Sequence, residues 1–178
     1  MEVAMEFQSK NEYIDRLMKK KILVTWSFLL IGLSGVNSLP PKIKLEEVVD
    51  FCLHIFLGGP HNDYIEKIAF SGPFEQDIVV KNLQRLEKKN QIEMAHISWS
   101  LLLLEDLLNN LSLEPMQGLL ELTDFWGHMG FPAYSPHIVQ GIQSPEEYYS
   151  EENYIFLFNE HKKWIAETEK NLKAQKLN

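Results

Sequence analysis

Cysteine is almost absent from this 178-residue sequence, and that scarcity excludes a disulfide framework. The one cysteine, Cys52, has no second cysteine with which to form an intrachain bond. It lies in the apolar segment "VVDFCLHIF", where a small buried thiol is the expected role. A chain of this length buries roughly 70% of the surface that it exposes when unfolded, so it needs no covalent or metal staple. We therefore expect a reducing, cytoplasmic location.

Long uninterrupted apolar runs are also missing. The nearest approach lies within "MKKKILVTWSFLLIGLSGVNS", Met18 to Ser38, which resembles a secretory signal. That segment begins only after 17 residues, however, and Thr25, Ser27 and Gly32 interrupt its apolar stretch. A membrane-spanning helix needs ~20 consecutive apolar residues. The segment is therefore predicted to be a core helix, and no membrane partner is expected.

Basic residues are absent from a long interval of the chain. No lysine or arginine occurs between Lys89 and Lys162, although this interval contains 11 acidic residues. The net charge of −8 arises mainly from this interval, since bases and acids nearly balance elsewhere. Such a charge argues against nucleic acid as the partner and favours a basic protein. The alternative is an acidic charge that only keeps the protein soluble.

Sequence motifs of catalysis are missing as well. The chain contains no Gly-rich phosphate loop, no Cys-x-x-Cys, no His-Glu-x-x-His and no Gly-x-Ser-x-Gly. Adjacent carboxylates such as Glu46 and Glu47 rarely share a helix face, so they do not predict a general acid and base. We expect no cofactor and no catalytic activity.

A few histidine and aspartate residues support an alternative function, that of a metal-dependent or hydrolytic enzyme. Asp124 and His128 are four residues apart, so they share one face of a helix. An all-α domain can assemble a metal centre from such side chains. The candidate ligands are His61, Asp63, Asp124, His128 and His137. Because spacing fixes only one pair, a hydrogen bond from His128 or a backbone N–H to Asp124 is the simpler interpretation.

Apolar spacing, together with glycine and proline punctuation, predicts an all-α fold. Apolar residues recur at i, i+3, i+4 and i+7, as from Leu45 to Phe56. The four leucines at 101–104 predict a helix that is buried on most sides, and only residues 19–25 have any strand character. We predict one domain over residues 1–178, an irregular bundle of about seven or eight helices. The predicted helices lie near 8–21, 26–33, 45–56, 62–71, 73–90, 93–111, 115–130 and 150–172.

The segment "TDFWGHMGFPAYSPHIVQG", Thr123 to Gly141, is the strongest candidate for a functional site. Gly130 is placed to end a helix in the left-handed conformation. Pro132 and Pro136 stiffen the loop of roughly 15 residues that follows. The apolar residues of this loop predict a corner packed against the body of the protein. Aromatic side chains beside carboxylates are also typical of a surface that binds a partner.

The same segment carries a resemblance to a known family. Together with "PEEYYSEENYIFLFNEHKKWIAETEKNL" after it, and "TWSFLLIGL" and "LPPKIKLEEVVDF" before it, it resembles a bacterial family of small proteins without established function. The shared features are an apolar helix with Trp ("ISWSLLLLEDLL") and an acid-aromatic-Gly-Phe/Tyr-Pro turn. Proteins of this kind look like those encoded beside contact-dependent or secreted toxins, where small acidic proteins serve as immunity factors.

The resemblance implies a non-catalytic immunity-type protein that binds and neutralises a basic toxin domain. A regulatory module that binds some other partner is a further alternative. The residues expected to bind the partner are acidic or aromatic: Glu121, Asp124, Trp126, Phe131, Tyr134, Glu146, Glu147, Tyr148, Tyr149, Glu151 and Glu152.

Overall fold

Helices make up the regular secondary structure of this protein. The computed structural model describes residues 8–89, 91–138, 141 and 144–175, and none of these lies in a β-strand. The all-α prediction is therefore confirmed. The helices are α1 (Glu12–Lys19), α2 (Trp26–Ser34), α3 (Leu45–Gly58), α4 (Asp63–Ala69), α5 (Gln76–Leu86), α6 (Gln91–Asn110), α7 (Pro115–His128), α8 (Pro145–Tyr148) and α9 (Glu151–Ala174).

Helix α1 begins at Glu12 rather than near residue 8, and two other elements also differ from the prediction. Helix α8 lies in a stretch predicted to be loop, and its single turn begins with a capping box. In that box Ser144 Oγ accepts from the Glu147 N–H and the Glu147 carboxylate accepts from the Ser144 N–H. Helix α5 begins at Gln76 rather than at residue 73, because a turn precedes it in which the Gly72 N–H donates to Glu75 Oε2 at 2.7 Å.

The chain divides into two compact units. Unit 1 comprises Met1–Val36 and Pro40–His96, and unit 2 comprises Asn37–Leu39 and Ile97–Asn178. The single domain expected over residues 1–178 stays a prediction.

Unit 1 contains α1 to α5 and the first residues of α6. Helix α3 packs against α4, and both α2 and α4 pack against α5. Helix α2 buries Phe28, Leu29 and Leu33, so this segment is a core helix as predicted. Within the described residues, no helix combines the length and the apolar character that crossing a membrane requires.

Asn11 joins two helix starts of unit 1. Its Oδ1 caps α1 by accepting from the Tyr13 and Ile14 N–H groups. Its Nδ2 donates to Lys42 O at 3.0 Å and to Glu47 Oε2 at 2.9 Å. Since Asn11 is buried, these bonds satisfy all of its polar atoms away from water. One amide therefore fixes the start of α1 against the start of α3.

Unit 2 contains α7, α8, α9 and most of α6, and α9 packs against both α7 and α8. All four leucines at 101–104 are buried, as the sequence predicts. Helices α7 and α9 approach each other closely at Gly118, where a Cβ atom would lie 2.5 Å from Tyr154 Cε2. Tyr154 also donates its hydroxyl to Ser112 O at 2.9 Å. Glycine at 118 is therefore required for this packing.

We expect Asn11→Ala to lower the free energy of unfolding by roughly 2 kcal/mol, since it removes a cap and leaves buried groups unpaired. The matched control is Asn62→Ala, because Asn62 caps only its own helix, α4, and its loss should cost about 1 kcal/mol. Urea unfolding of both variants measures the difference. Equal losses would contradict the role of Asn11 in joining α1 to α3.

Candidate functional site

The end of α7 has the geometry predicted for Gly130. Gly130 has φ +78°, and its N–H donates to Gly127 O at 3.0 Å. The Phe131 N–H then donates to Trp126 O at 2.8 Å. This pair of bonds is a Schellman motif, which satisfies the last carbonyls of the helix. Phe131 itself adopts φ +44°, so the chain reverses direction over two successive left-handed residues.

A buried hydrogen bond joins α7 to α9. Trp126 Nε1–H donates to His161 Nε2 at 2.8 Å, and His161 Nδ1–H donates to Leu157 O at 2.6 Å. This arrangement requires a neutral His161 with its proton on Nδ1. Burial lowers the pKa of His161 to about 4, so the neutral form is present at neutral pH.

A second polar cluster lies beside the first. Thr123 donates its hydroxyl to Leu119 O at 2.8 Å, and its Oγ1 lies 2.9 Å from His137 Nε2 and 3.0 Å from the Tyr148 hydroxyl. His137 Nε2 also lies 3.2 Å from the Tyr148 hydroxyl, so the three side chains form one cluster. The Nδ1 of His137 is buried with no hydrogen-bond partner among the described residues. Burial and the neighbouring His161 lower the pKa of His137 to about 4.

Aromatic rings hold the loop after α7 against the rest of unit 2. Tyr134 stacks on Trp164 with ring centroids 6.0 Å apart, and Trp164 meets Trp126 edge to face at 5.6 Å. The Tyr134 hydroxyl lies 3.1 Å from Ser100 Oγ. Over residues 129–138 the candidate loop is therefore a packed corner. Residues 139, 140, 142 and 143 lie outside the described residues.

Two aromatic residues expected at a partner-binding surface are buried instead. Trp126 has 0% exposure and Tyr148 has 2%, because the indole N–H and the phenol find their hydrogen-bond partners inside the protein. Tyr134 and Tyr149 are half-buried. Phe131, at 41% exposure, is the one exposed aromatic of the predicted set.

The acidic residues of the predicted set separate into two groups. Glu121 accepts from the Ser112 N–H at 3.1 Å and from Gln117 Nε2 at 3.0 Å, and Glu147 caps α8. Glu147 is nevertheless exposed, as are the other acids of the set: Asp124, Glu146, Glu151 and Glu152. In the described part of the chain, the last three form no ion pair.

An acidic groove of about 580 Å³ lies along α8 and the first turns of α9. Three glutamates line it together with two small polar residues and a phenylalanine: Glu146, Glu147, Ser150, Glu152, Asn153 and Phe156. Among the residues that the structure describes, no lysine or arginine lines it, whereas Lys162 lines a smaller groove of unit 2, and Lys170 and Lys173 line another. We call this feature the α8–α9 groove.

Phe156 and its neighbour Ile155 are absent from the predicted set, although their side chains are 50% and 51% exposed. A signal for them is present in the sequence. Residues 154–158, "YIFLF", are five consecutive apolar residues within α9. Because a helix at a surface buries only one stripe, some members of such a run must be exposed.

The candidate metal ligands do not form one cluster. Asp124 and His128 adjoin, with His128 Nδ1 2.9 Å from the Asp124 backbone carbonyl oxygen and 3.5 Å from its carboxylate. In unit 1, His61 Nε2 lies 3.1 Å from Asp63 Oδ1 and 3.5 Å from Glu66 Oε2. Among the described residues, these three exposed or half-exposed side chains are the one group whose donor atoms all lie within 4.8 Å. Glu66 was not predicted.

Cys52 is buried, as predicted. Burial raises the pKa of its thiol to about 12. A thiol with that pKa stays protonated at neutral pH, so it is not a thiolate nucleophile.

Comparison with known proteins identifies the family of this chain. The model of a family described as an uncharacterised protein conserved in bacteria (DUF2247) matches residues 14–169, which is most of the chain. No curated protein and no solved structure matches.

We expect Gly130→Ala to lower the free energy of unfolding by about 1 kcal/mol, because φ +78° places a Cβ atom in the disfavoured left-handed region. Gly127→Ala provides a control one turn earlier. Gly127 is inside α7, and its added Cβ would meet Phe131 at 3.6 Å, an ordinary contact. That variant should gain about 0.5–1 kcal/mol from helix propensity. Thermal or urea unfolding measures both variants. If Gly127→Ala were also destabilised, the difference between a helical Gly127 and a left-handed Gly130 would be contradicted.

Acid should destabilise unit 2 through His137 and His161. An unfolded histidine takes up its proton near pH 6.5, whereas these two do so near pH 4. Between those values the unfolded chain binds more protons, so stability is fully present above pH 6.5 and falls as the pH approaches 4. The loss is on the order of 3 kcal/mol for each histidine by pH 4, as an upper value.

The variant His161→Gln separates this effect from carboxylate protonation. Glutamine offers an amide oxygen to Trp126 but does not titrate. Urea unfolding between about pH 4 and pH 7 should give the variant a shallower pH dependence than the original chain. An unchanged slope would show that His161 does not govern the acid sensitivity.

Proposed function

The chain belongs to the bacterial family DUF2247, and we propose that it is a non-catalytic immunity-type protein that binds and neutralises a basic toxin domain. The α8–α9 groove is the observation that carries this proposal. A groove lined by three carboxylates, and by no basic residue of the described part of the chain, suits a positively charged protein surface.

The distribution of charge supports the same partner. Unit 2 contains 12 acidic and five basic residues, whereas unit 1 contains 13 and 12. The negative charge is therefore concentrated in the unit that holds the groove. Complementary charge of this kind raises the rate of association and discriminates against wrong partners.

The composition of the groove also resembles that of a protein interface. Its lining combines glutamates with exposed side chains and the half-exposed ring of Phe156. Interfaces commonly place an aromatic anchor inside a polar rim that excludes water. Phe156 replaces Trp126 and Tyr148 in this role, because both of those are buried.

Inhibition of a toxin domain encoded by the adjacent gene tests the proposal. The double variant Glu146→Lys/Glu152→Lys reverses two groove charges and keeps the Glu147 cap of α8. We expect its affinity for the toxin domain, measured by calorimetry, to fall by about ten- to a hundredfold. Protection of growth on co-expression should be lost in parallel. Association of the original pair should slow as salt is raised.

Glu167→Lys is the control, since Glu167 is an exposed acid of α9 that does not line the groove. It should leave affinity and protection close to their original values. If the toxin domain binds the double variant as tightly as it binds the original protein, recognition does not use this groove and the proposal is wrong.

A further inference from the structure

We propose that the α8–α9 groove binds an arginine side chain of the partner, with Phe156 stacking on the guanidinium and the groove glutamates accepting its hydrogen bonds. The inference rests on the proposed function, because it identifies the chemical group that the partner presents. Three features of the groove support it. Its polar side chains already donate to backbone carbonyls, its carboxylates form no ion pair within the described residues, and the ring of Phe156 is exposed.

The serine and asparagine side chains of the groove donate their hydrogen bonds to backbone carbonyls of the protein. Ser150 Oγ donates to Glu147 O at 2.8 Å, and Asn153 Nδ2 donates to Tyr148 O at 2.7 Å. Ser150 Oγ also accepts from the Asn153 N–H, as the cap of α9. These side chains therefore have little donor capacity left for a ligand, and the groove presents mainly acceptor oxygens. A ligand that fits must be rich in donors.

No basic side chain of the described residues pairs with the carboxylates of the groove. Hydrogen bonds from the Ser144 backbone and hydroxyl lower the pKa of Glu147, which stays ionised. Those bonds also hold its side chain in one place, with both going to Oε2. Glu146 and Glu152 are exposed and form no ion pair within the described residues. The ligand must therefore carry positive charge.

The exposed ring of Phe156 favours an organic cation as the ligand. Among the described residues it contacts no cation and no second aromatic ring, and half of its surface is exposed. Two residues later, Phe158 already has Lys162 Nζ at 4.7 Å from its ring centroid. Helix α9 thus forms one cation–π contact internally and leaves Phe156 open for another. A metal ion would find carboxylate oxygens as ligands here, but it has no planar face to stack on the ring.

Arginine fits these features better than lysine does. Its guanidinium has five donors in a plane and no acceptor, and it stays charged at any relevant pH. A planar group can lie on the Phe156 ring while its edge meets carboxylates. Lysine offers three donors on a compact and strongly hydrated ammonium, so it gains less from the ring.

Nuclear magnetic resonance titration of the full chain tests the inference without the toxin. The probes are N-acetyl-arginine amide and, as the matched cation, N-acetyl-lysine amide. We expect the arginine probe to shift backbone amides of residues 146–156, with a dissociation constant about two- to fivefold lower than that of the lysine probe. Phe156→Leu should abolish this preference while keeping the residual binding of both probes.

Glu152→Gln and Glu151→Gln form a matched pair, since both remove one charge from the first turn of α9 and only Glu152 lines the groove. Glu152→Gln should weaken arginine binding more than Glu151→Gln does. Equal effects, shifts outside residues 146–156, or a preference that survives in Phe156→Leu would each overturn the inference.

These outcomes are separate from those that decide the proposed function. A toxin domain that is insensitive to Glu146→Lys/Glu152→Lys would end the proposed function, whatever the probes show. If the toxin domain binds through the groove but the probes show no preference for arginine, the proposed function stands and only this inference is wrong.

Discussion

The hydrogen bond from Trp126 to His161 is the interaction on which unit 2 depends. A buried indole N–H needs an acceptor, and His161 supplies one only as the neutral tautomer that donates its other proton to Leu157 O. The end of α7 must therefore meet the middle of α9. The rings of Tyr134 and Trp164 then close over the junction. The packed corner that follows α7 is a consequence of this contact.

Helix starts in unit 2 allow the same acidic residues to favour folding and to remain available for binding. Helices α8 and α9 begin with paired glutamates, whose charge complements the helix dipole. Glu147 also closes a capping box, yet its side chain stays in water. Because the fold places these charges at helix starts, it does not need a basic partner to stabilise them. The surface formed by the starts of α8 and α9 can therefore be negatively charged in the free protein.

Prediction from the sequence was accurate where one segment contains all the relevant information. Apolar spacing located eight of the helices that the structure describes, and the glycine at 130 located the end of α7. It was inaccurate where a partner comes from elsewhere in the chain. Trp126 was expected on the surface, because nothing near it in sequence reveals that His161, 35 residues later, accepts from its indole. The short helix α8 was missed although "SPEE" contains a capping box.

The sequence by itself determined the all-α class, the burial of the four leucines of α6 and the concentration of negative charge in one interval. Each follows from composition or from periodicity within a segment. Only the tertiary structure decided which aromatic residues stay exposed and which acids share a groove. Tyr148 lies in the polar stretch "PEEYYSE" and Phe156 in the apolar run "YIFLF", yet Tyr148 meets Thr123 inside the protein and Phe156 lines the α8–α9 groove. Exposure depends on what packs against a side chain, and packing brings together residues that are distant along the chain.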